Sequence, residues 1–74
     1  MNPEVVTIGL GYIGLPTSAL IASHGTYVLG VDINQKVVDI INKGNIHIVE
    51  PNLDQIVSKA VNDGFFKAST KPTS

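Results

Sequence analysis

The chain has 74 residues, of which 43% are hydrophobic and 15% charged, with a net charge of −1. That bounds it to one domain, near the lower limit for a self-sufficient core, and excludes both a disordered tail and an electrostatic match to nucleic acid or anionic lipid. Cysteine is absent, which excludes a disulfide, a thiolate metal site and a cysteine nucleophile within this stretch.

The chain begins Met1-Asn2-Pro3-Glu4 and has neither a basic n-region nor a small-residue cleavage site, so no secretory signal is read there. No run approaches the ~18 consecutive apolar residues of a membrane span. The expected location is the cytoplasm, with no membrane partner. Val5-Val6-Thr7-Ile8 is a short β-branched run of the kind that forms a strand buried on both faces of a parallel sheet. A glycine-rich stretch follows, and then a helix is expected from about Tyr12 to Ser23. Pro16 falls in its first turn, where an amide has no intrahelical partner to lose. Gly14, Ser18 and Ala22 place small side chains along one face, and His24-Gly25 ends the helix.

Tyr27 to Val31 reads as a second strand, with Asp32 at its carboxyl end. Asn34 suits the N-cap of a second helix whose apolar face is Val37, Val38 and Ile41. Lys43-Gly44 closes it. After the loop "NIHIVEP", Pro51 suits the first turn of a third helix. Leu53, Ile56, Val57, Ala60 and Val61 carry its apolar stripe. Gly64 ends that helix, and residues 65–70, "FFKAST", read as a third strand. The order β-α-β-α-α-β predicts an α/β fold: a partial Rossmann fold with a three-stranded parallel half-sheet.

Gly9, Gly11 and Gly14 fit the spacing G-x-G-x-x-G. On its own this motif describes any tight turn between a strand and a helix. Its context is more specific: it follows a strand, opens a helix, and is followed by an acid at the end of the next strand, about 20 residues on. Gly9 lets the chain turn out of the strand, Gly11 lets a pyrophosphate approach the backbone, and Gly14 lets the helix pack closely. The amides of Gly11, Tyr12 and Ile13 are then candidate phosphate donors. Asp32 is the candidate acceptor for the adenosine ribose hydroxyls, and its charge favours NAD over NADP because it repels a 2′-phosphate. Lys36, close by in sequence, would soften that preference. The alternative for Asp32 is a solvated turn acid ahead of the Asn34 cap.

The other polar candidates have plainer readings. His24 and His47 lack partners at ligand or triad spacing. His24 is expected to cap a helix end, and His47 to have a surface or packing role in its loop. Glu50 lies near the positive end of the third helix. The Tyr12 ring is expected to pack against a bound cofactor rather than to act as an acid or base.

"IGLGYIGLP", "GVDIN", "NKGNIHIVEPNLDQIV" and "FKAST" together make the chain resemble the amino-terminal segment of the nucleotide-sugar 6-dehydrogenases, the family of UDP-glucose and GDP-mannose dehydrogenase. The "IHIVEP" loop resembles the branch that acts on a UDP-linked N-acetylmannosamine. The resemblance spans essentially the whole chain. It implies a four-electron oxidation of a sugar C6 alcohol to a carboxylate, with two NAD reduced in turn. In that chemistry a cysteine carries a thiohemiacetal and then a thioester. It maps cofactor contacts onto Tyr12, Ile13 and Asp32, beside the glycines. Some members place a lysine five residues after the ribose acid; here that position is Val37. The resemblance also implies that residues 1–74 are the amino-terminal part of an NAD-binding domain, with the catalytic cysteine and the sugar-binding part lying elsewhere and no catalytic residue in this stretch. The chain alone is then expected to bind NAD weakly and to be inactive. Its first strand is expected to leave an open apolar edge, giving self-association, strand exchange or low stability. Two other readings fit the same start: an NAD-linked dehydrogenase of the β-hydroxyacid type, and a non-catalytic NAD(H)-sensing module.

Overall fold

The computed structural model describes residues 3–72. Among them the element order is β1 (Val5–Ile8), α1 (Gly14–Ser23), β2 (Val28–Val31), α2 (Gln35–Asn42), α3 (Leu53–Asn62) and β3 (Phe66–Ser69). The strands form one parallel sheet in the order β1-β2-β3. Val5, Val28 and Phe66 share one row of the register, and Val6, Leu29 and Lys67 the next. Side chains alternate across a sheet, so Val28, Phe66 and Ala68 point to one face. They join one buried cluster with Leu15, Ala19 and Ala22 of α1, Val38 and Ile41 of α2, and Leu53, Val57 and Ala60 of α3. The core therefore lies between a single sheet face and all three helices. Successive crossovers that advance in one direction with one hand require this arrangement. On the opposite face Val6 and Ile8 are 44% and 76% exposed. Leu29 and Val31 are buried there on the central strand, outside the main cluster.

Local chemistry sets the element ends. Asn34 caps α2, its Oδ1 accepting from the Lys36 N–H at 3.0 Å. His24 is the C-cap residue of α1. Gly25, Gly44 and Gly64 follow the three helices with left-handed backbone.

Four boundaries differ from the sequence expectation. Helix α1 begins at Gly14, not Tyr12, because the chain first wraps through a turn closed by the Leu15 N–H on the Gly11 carbonyl at 3.0 Å. Pro16 still falls in the first turn. Pro51 is not in the first turn of α3. It occupies the corner of a Glu50–Leu53 turn, in which the Leu53 N–H donates to the Glu50 carbonyl at 3.2 Å. Asn52 holds φ 65° at the next position, the left-handed conformation a type II turn demands. Strand β2 starts at Val28, where its register with β1 begins, and the Tyr27 carbonyl before it accepts from both Glu4 and Val5. Strand β3 is confined to residues 66–69; Phe65, just outside it, stacks on Tyr27 with ring centroids 4.7 Å apart.

Asn42, the last residue of α2, clamps the outer side of β3. Its Nδ2 donates to the Ala68 carbonyl at 2.9 Å, and the Ala68 N–H donates to its Oδ1 at 2.8 Å. A side-chain amide here takes the place of a neighbouring strand.

Candidate functional site

The site is assembled at the carboxyl ends of β1 and β2, where open α/β sheets bind ligands. The loop between β1 and α1 leaves the sheet through Gly9, whose φ of +90° a side chain would strain. The Gly9 N–H donates to the Val31 carbonyl at 2.7 Å, which ties the loop to β2.

The three motif glycines differ in what the chain itself demands of them. A Cβ on Gly14 would collide with the Gly9 carbonyl oxygen. The helix start is thus held against the loop itself, a closer partner than the sheet inferred from sequence. Gly11 has neither constraint. Its φ is not in the left-handed region, and a Cβ there meets nothing within 4 Å. Nothing inside the described chain requires glycine at this position, whereas a ligand lying on the backbone does.

The amides beside it are available. Among the described residues, no hydrogen-bond acceptor pairs with the N–H groups of Gly11, Tyr12 or Ile13. Ile13 is the N-cap of α1 and offers no side-chain cap, and the first turn holds no acid. The positive end of the helix is therefore free to receive an anion. Tyr12 and Ile13 project their side chains outward at 73% and 83% exposure. Apolar groups this exposed beside a polar cradle suit a ligand that covers them.

Asp32 follows β2 and is held in place from two sides. Its Oδ1 accepts from the Asn34 N–H at 2.9 Å, and its Oδ2 accepts from the Leu10 N–H at 3.0 Å. These two amides, Asn34 first, hold the carboxyl below its usual value; the charge of His47 adds to the effect and partial burial opposes it. The acid is ionised at neutral pH and each oxygen keeps a lone pair for a hydroxyl donor. Ile8, Gly9, Val31, Asp32 and Ile33 line a hollow of about 160 Å³.

The structure brings together all the candidates read from sequence (Gly9, Gly11, Tyr12, Ile13, Gly14 and Asp32) and adds others. Leu10 was not anticipated. Its side chain is fully buried while its amide holds Asp32. Ile33 is 95% exposed immediately after the acid; an apolar residue just past the end of a buried strand was the available signal. His47 lies close enough for its charge to act on Asp32, and its Nδ1 is buried without a partner among the described residues. The side chain of Lys36 makes no ion pair among the described residues. No His, Asp and Glu group among them could hold a metal, and no helix among them is long and apolar enough to cross a membrane.

A glycine cradle at a free helix start, with an acid at the end of the second parallel strand, defines a Rossmann-type dinucleotide-binding half-fold. Residues 3–74 match the model of the UDP-glucose/GDP-mannose dehydrogenase family, NAD binding domain, and the chain belongs to that family. It is 65% identical over 69 residues to the UDP-N-acetyl-D-mannosamine dehydrogenase of Campylobacter jejuni, covering 93% of this chain and 17% of that relative. The structure of the UDP-N-acetyl-mannosamine dehydrogenase from Staphylococcus aureus superposes with a TM-score of 0.88 at 48% identity, over 92% of this chain and 16% of that one. A ternary complex of GDP-mannose dehydrogenase from Pseudomonas aeruginosa gives a TM-score of 0.90 at 31% identity, over 92% of this chain and 16% of that one. The chain thus spans about a sixth of the length of the proteins it matches. Its cofactor, as a family NAD-binding domain, is NAD.

Proposed function

We propose that this chain is the adenosine and pyrophosphate half of the NAD site of a cytoplasmic nucleotide-sugar 6-dehydrogenase. The whole protein oxidises the C6 alcohol of UDP-N-acetylmannosamine to the uronate while two NAD are reduced. The likeness to relatives named for UDP-N-acetyl-D-mannosamine supports that substrate. The observation that carries the cofactor reading is Gly11, a glycine with no internal reason to be one, set among unpaired amides.

In this reading the N–H groups of Gly11, Tyr12 and Ile13 hold the pyrophosphate. The positive end of α1 balances its charge. Tyr12 and Ile13 cover the ligand and exclude water. Asp32 accepts from the adenosine ribose hydroxyls and repels a 2′-phosphate. Gly9 and Gly14 fix the loop against the sheet and the helix. Bound NAD would supply the hydride acceptor. The chain holds no cysteine, so it has no thiol to form the thioester of that chemistry and is inactive alone. The same reading includes association of the chain with itself through the open β1 edge.

Calorimetric titration of the chain with NAD and with NADP tests the cofactor assignment. Weak binding of NAD and weaker binding of NADP are expected. Equal or tighter NADP binding would overturn it. Incubation with NAD and UDP-N-acetylmannosamine is expected to yield no NADH, and turnover would refute the half-site reading.

A further inference from the structure

Among the described residues, Ser18 is the one polar side chain buried in the core, with no exposure to solvent. A buried hydroxyl needs a partner, and its Oγ donates to the Gly14 carbonyl, one turn back along α1, at 2.6 Å. That bond alone would satisfy it. A second hydroxyl nonetheless stands beside it: Oγ1 of Thr7, on β1, lies 2.7 Å from the Ser18 Oγ. A serine hydroxyl has one proton. With that proton directed at Gly14, Thr7 is the donor and Ser18 the acceptor.

The series of donors continues through the backbone. The Gly14 carbonyl and the Leu15 N–H belong to one peptide unit, and the Leu15 N–H donates to the Gly11 carbonyl at 3.0 Å. The Gly11 carbonyl in turn shares its peptide unit with the Tyr12 N–H, which has no acceptor among the described residues. Two hydroxyls and two peptide units thus stand head to tail, and the series ends on a free donor in the cradle. Hydrogen bonds aligned in this way polarise one another. The other two cradle amides lack such support. The peptide unit of the Ile13 N–H carries the Tyr12 carbonyl, whose helical donor would be residue 16; that residue is Pro16, which has no N–H. The unit of the Gly11 N–H carries the Leu10 carbonyl, which accepts no backbone bond among the described residues.

We propose that Thr7 and Ser18 are positioning residues for the pyrophosphate: their hydroxyls brace the first turn of α1 against β1 and make the Tyr12 N–H the leading donor of the three. This rests on the NAD reading of the cradle given above and deepens it, by ranking the donors and naming what sets their aim. Ser18 is out of a ligand's reach and acts through the backbone. Thr7 and Ser18 also flank the glycine loop, so the bond between them joins its two ends. A loop ordered before its ligand arrives binds at a lower cost.

Thr7→Val and Ser18→Ala remove the two hydroxyls at nearly constant shape, and Thr7→Ser keeps one. Calorimetric titration with NAD is expected to show affinity reduced roughly three- to ten-fold in Thr7→Val and in Ser18→Ala, the size of one hydrogen bond. Thr7→Ser is expected to bind like wild type. The double variant is expected to bind no more weakly than Ser18→Ala alone, because Thr7 acts only through Ser18. In the ligand-free chain, the Tyr12 amide proton resonance is expected to move upfield in Ser18→Ala by more than those of Gly11 and Ile13. Far-ultraviolet spectra check that each variant is folded, and Thr7→Val, at a half-buried position, carries both readouts if Ser18→Ala does not fold. Unchanged NAD affinity in the folded variants, a Thr7→Ser as weak as Thr7→Val, or a Tyr12 resonance that moves no further than that of Ile13 would each overturn the proposal. A wild-type chain that binds no NAD would overturn the half-site reading instead, and the ligand-free resonances would then decide the positioning role by themselves.

Discussion

The backbone N–H of Leu10 donates to Oδ2 of Asp32 at 3.0 Å, joining the middle of the glycine loop to the acid of the next strand. Leu10 also has its side chain fully buried. It packs over Gly30, where a Cβ would come within 2.7 Å of the Leu10 Cδ2. One residue thus fixes the loop to the core through its side chain and fixes the Asp32 carboxylate through its amide. The two halves of the proposed site are held in one geometry before any ligand arrives, which lowers the ordering cost of binding.

Asp32→Ala removes that anchor and the acceptor together. NAD binding is expected to weaken by about 10- to 100-fold, in keeping with hydrogen bonds to a charged group at about 1.5–3 kcal/mol. NADP binding is expected to fall less, so the NAD-to-NADP ratio drops. Paired calorimetric titrations of wild type and variant measure this.

Gly11→Val and Gly14→Ala separate the site from the scaffold. At Gly11 the added Cβ meets nothing within 4 Å, so the unfolding free energy is expected to stay within about 0.5 kcal/mol of wild type while NAD binding is lost. At Gly14 the added methyl meets the Gly9 carbonyl, and a loss of stability of at least about 1–3 kcal/mol is expected. Urea unfolding with and without NAD reads both effects.

Asp32 also sets an acid limit. Its folded-state pKa is lowered, so its stabilising contribution is fully present above the unfolded carboxylate pKa of about 3.9. That contribution is lost as pH falls through the lower folded value. The wild-type midpoint of thermal unfolding is therefore expected to drop more steeply below about pH 4 than that of Asp32→Asn. Parallel slopes would show that the carboxylate is not held as described.

Asn42→Ala breaks two backbone contacts at once. At about 0.5–1.5 kcal/mol per hydrogen bond, a loss of roughly 1–3 kcal/mol is expected. The Ala68 amide should exchange with solvent faster, while amides of β1 change only by the global loss. Hydrogen exchange followed by NMR measures both.

Most of the scaffold was legible in the sequence because its signals are local. The β-branched run of β1, the stripe from Leu53 to Val61 and the Asn34 cap each depend on residues a few positions apart. The glycine spacing and Asp32 were legible as a candidate site, since a fixed glycine spacing and an acid at the end of the next strand are themselves patterns in the sequence. What was missed depends on contacts across the chain. Gly30 looks like a weakness in a strand until Leu10 is placed over it. Asn42 looks like an ordinary polar residue at a helix end until β3 arrives beside it. His47 has no sequence neighbour that hints at Asp32, and only the fold of its loop brings the two near. The α1 start was misjudged because the turn closed by Leu15 on Gly11 makes a helix-like bond before helical backbone begins. Pro51 and Asn52 fit a turn as well as a helix start, and the left-handed conformation at Asn52 decided between them.

The Asn42 clamp has a topological consequence. It ties residue 42 to residue 68, so α3 and the loops on either side of it form a ring whose ends are fixed regardless of the ring's contents. Lengthening a ring already closed in this way costs entropy only as the logarithm of its size. A residue added beside Val49, 97% exposed in that ring, therefore costs little in chain entropy while β3 keeps its place against β2, whereas Ile48 three positions before Pro51 is held in the core. The fold separates parts that must hold their dimensions, the glycine loop and the Ile48 anchor, from an exposed tip that can vary.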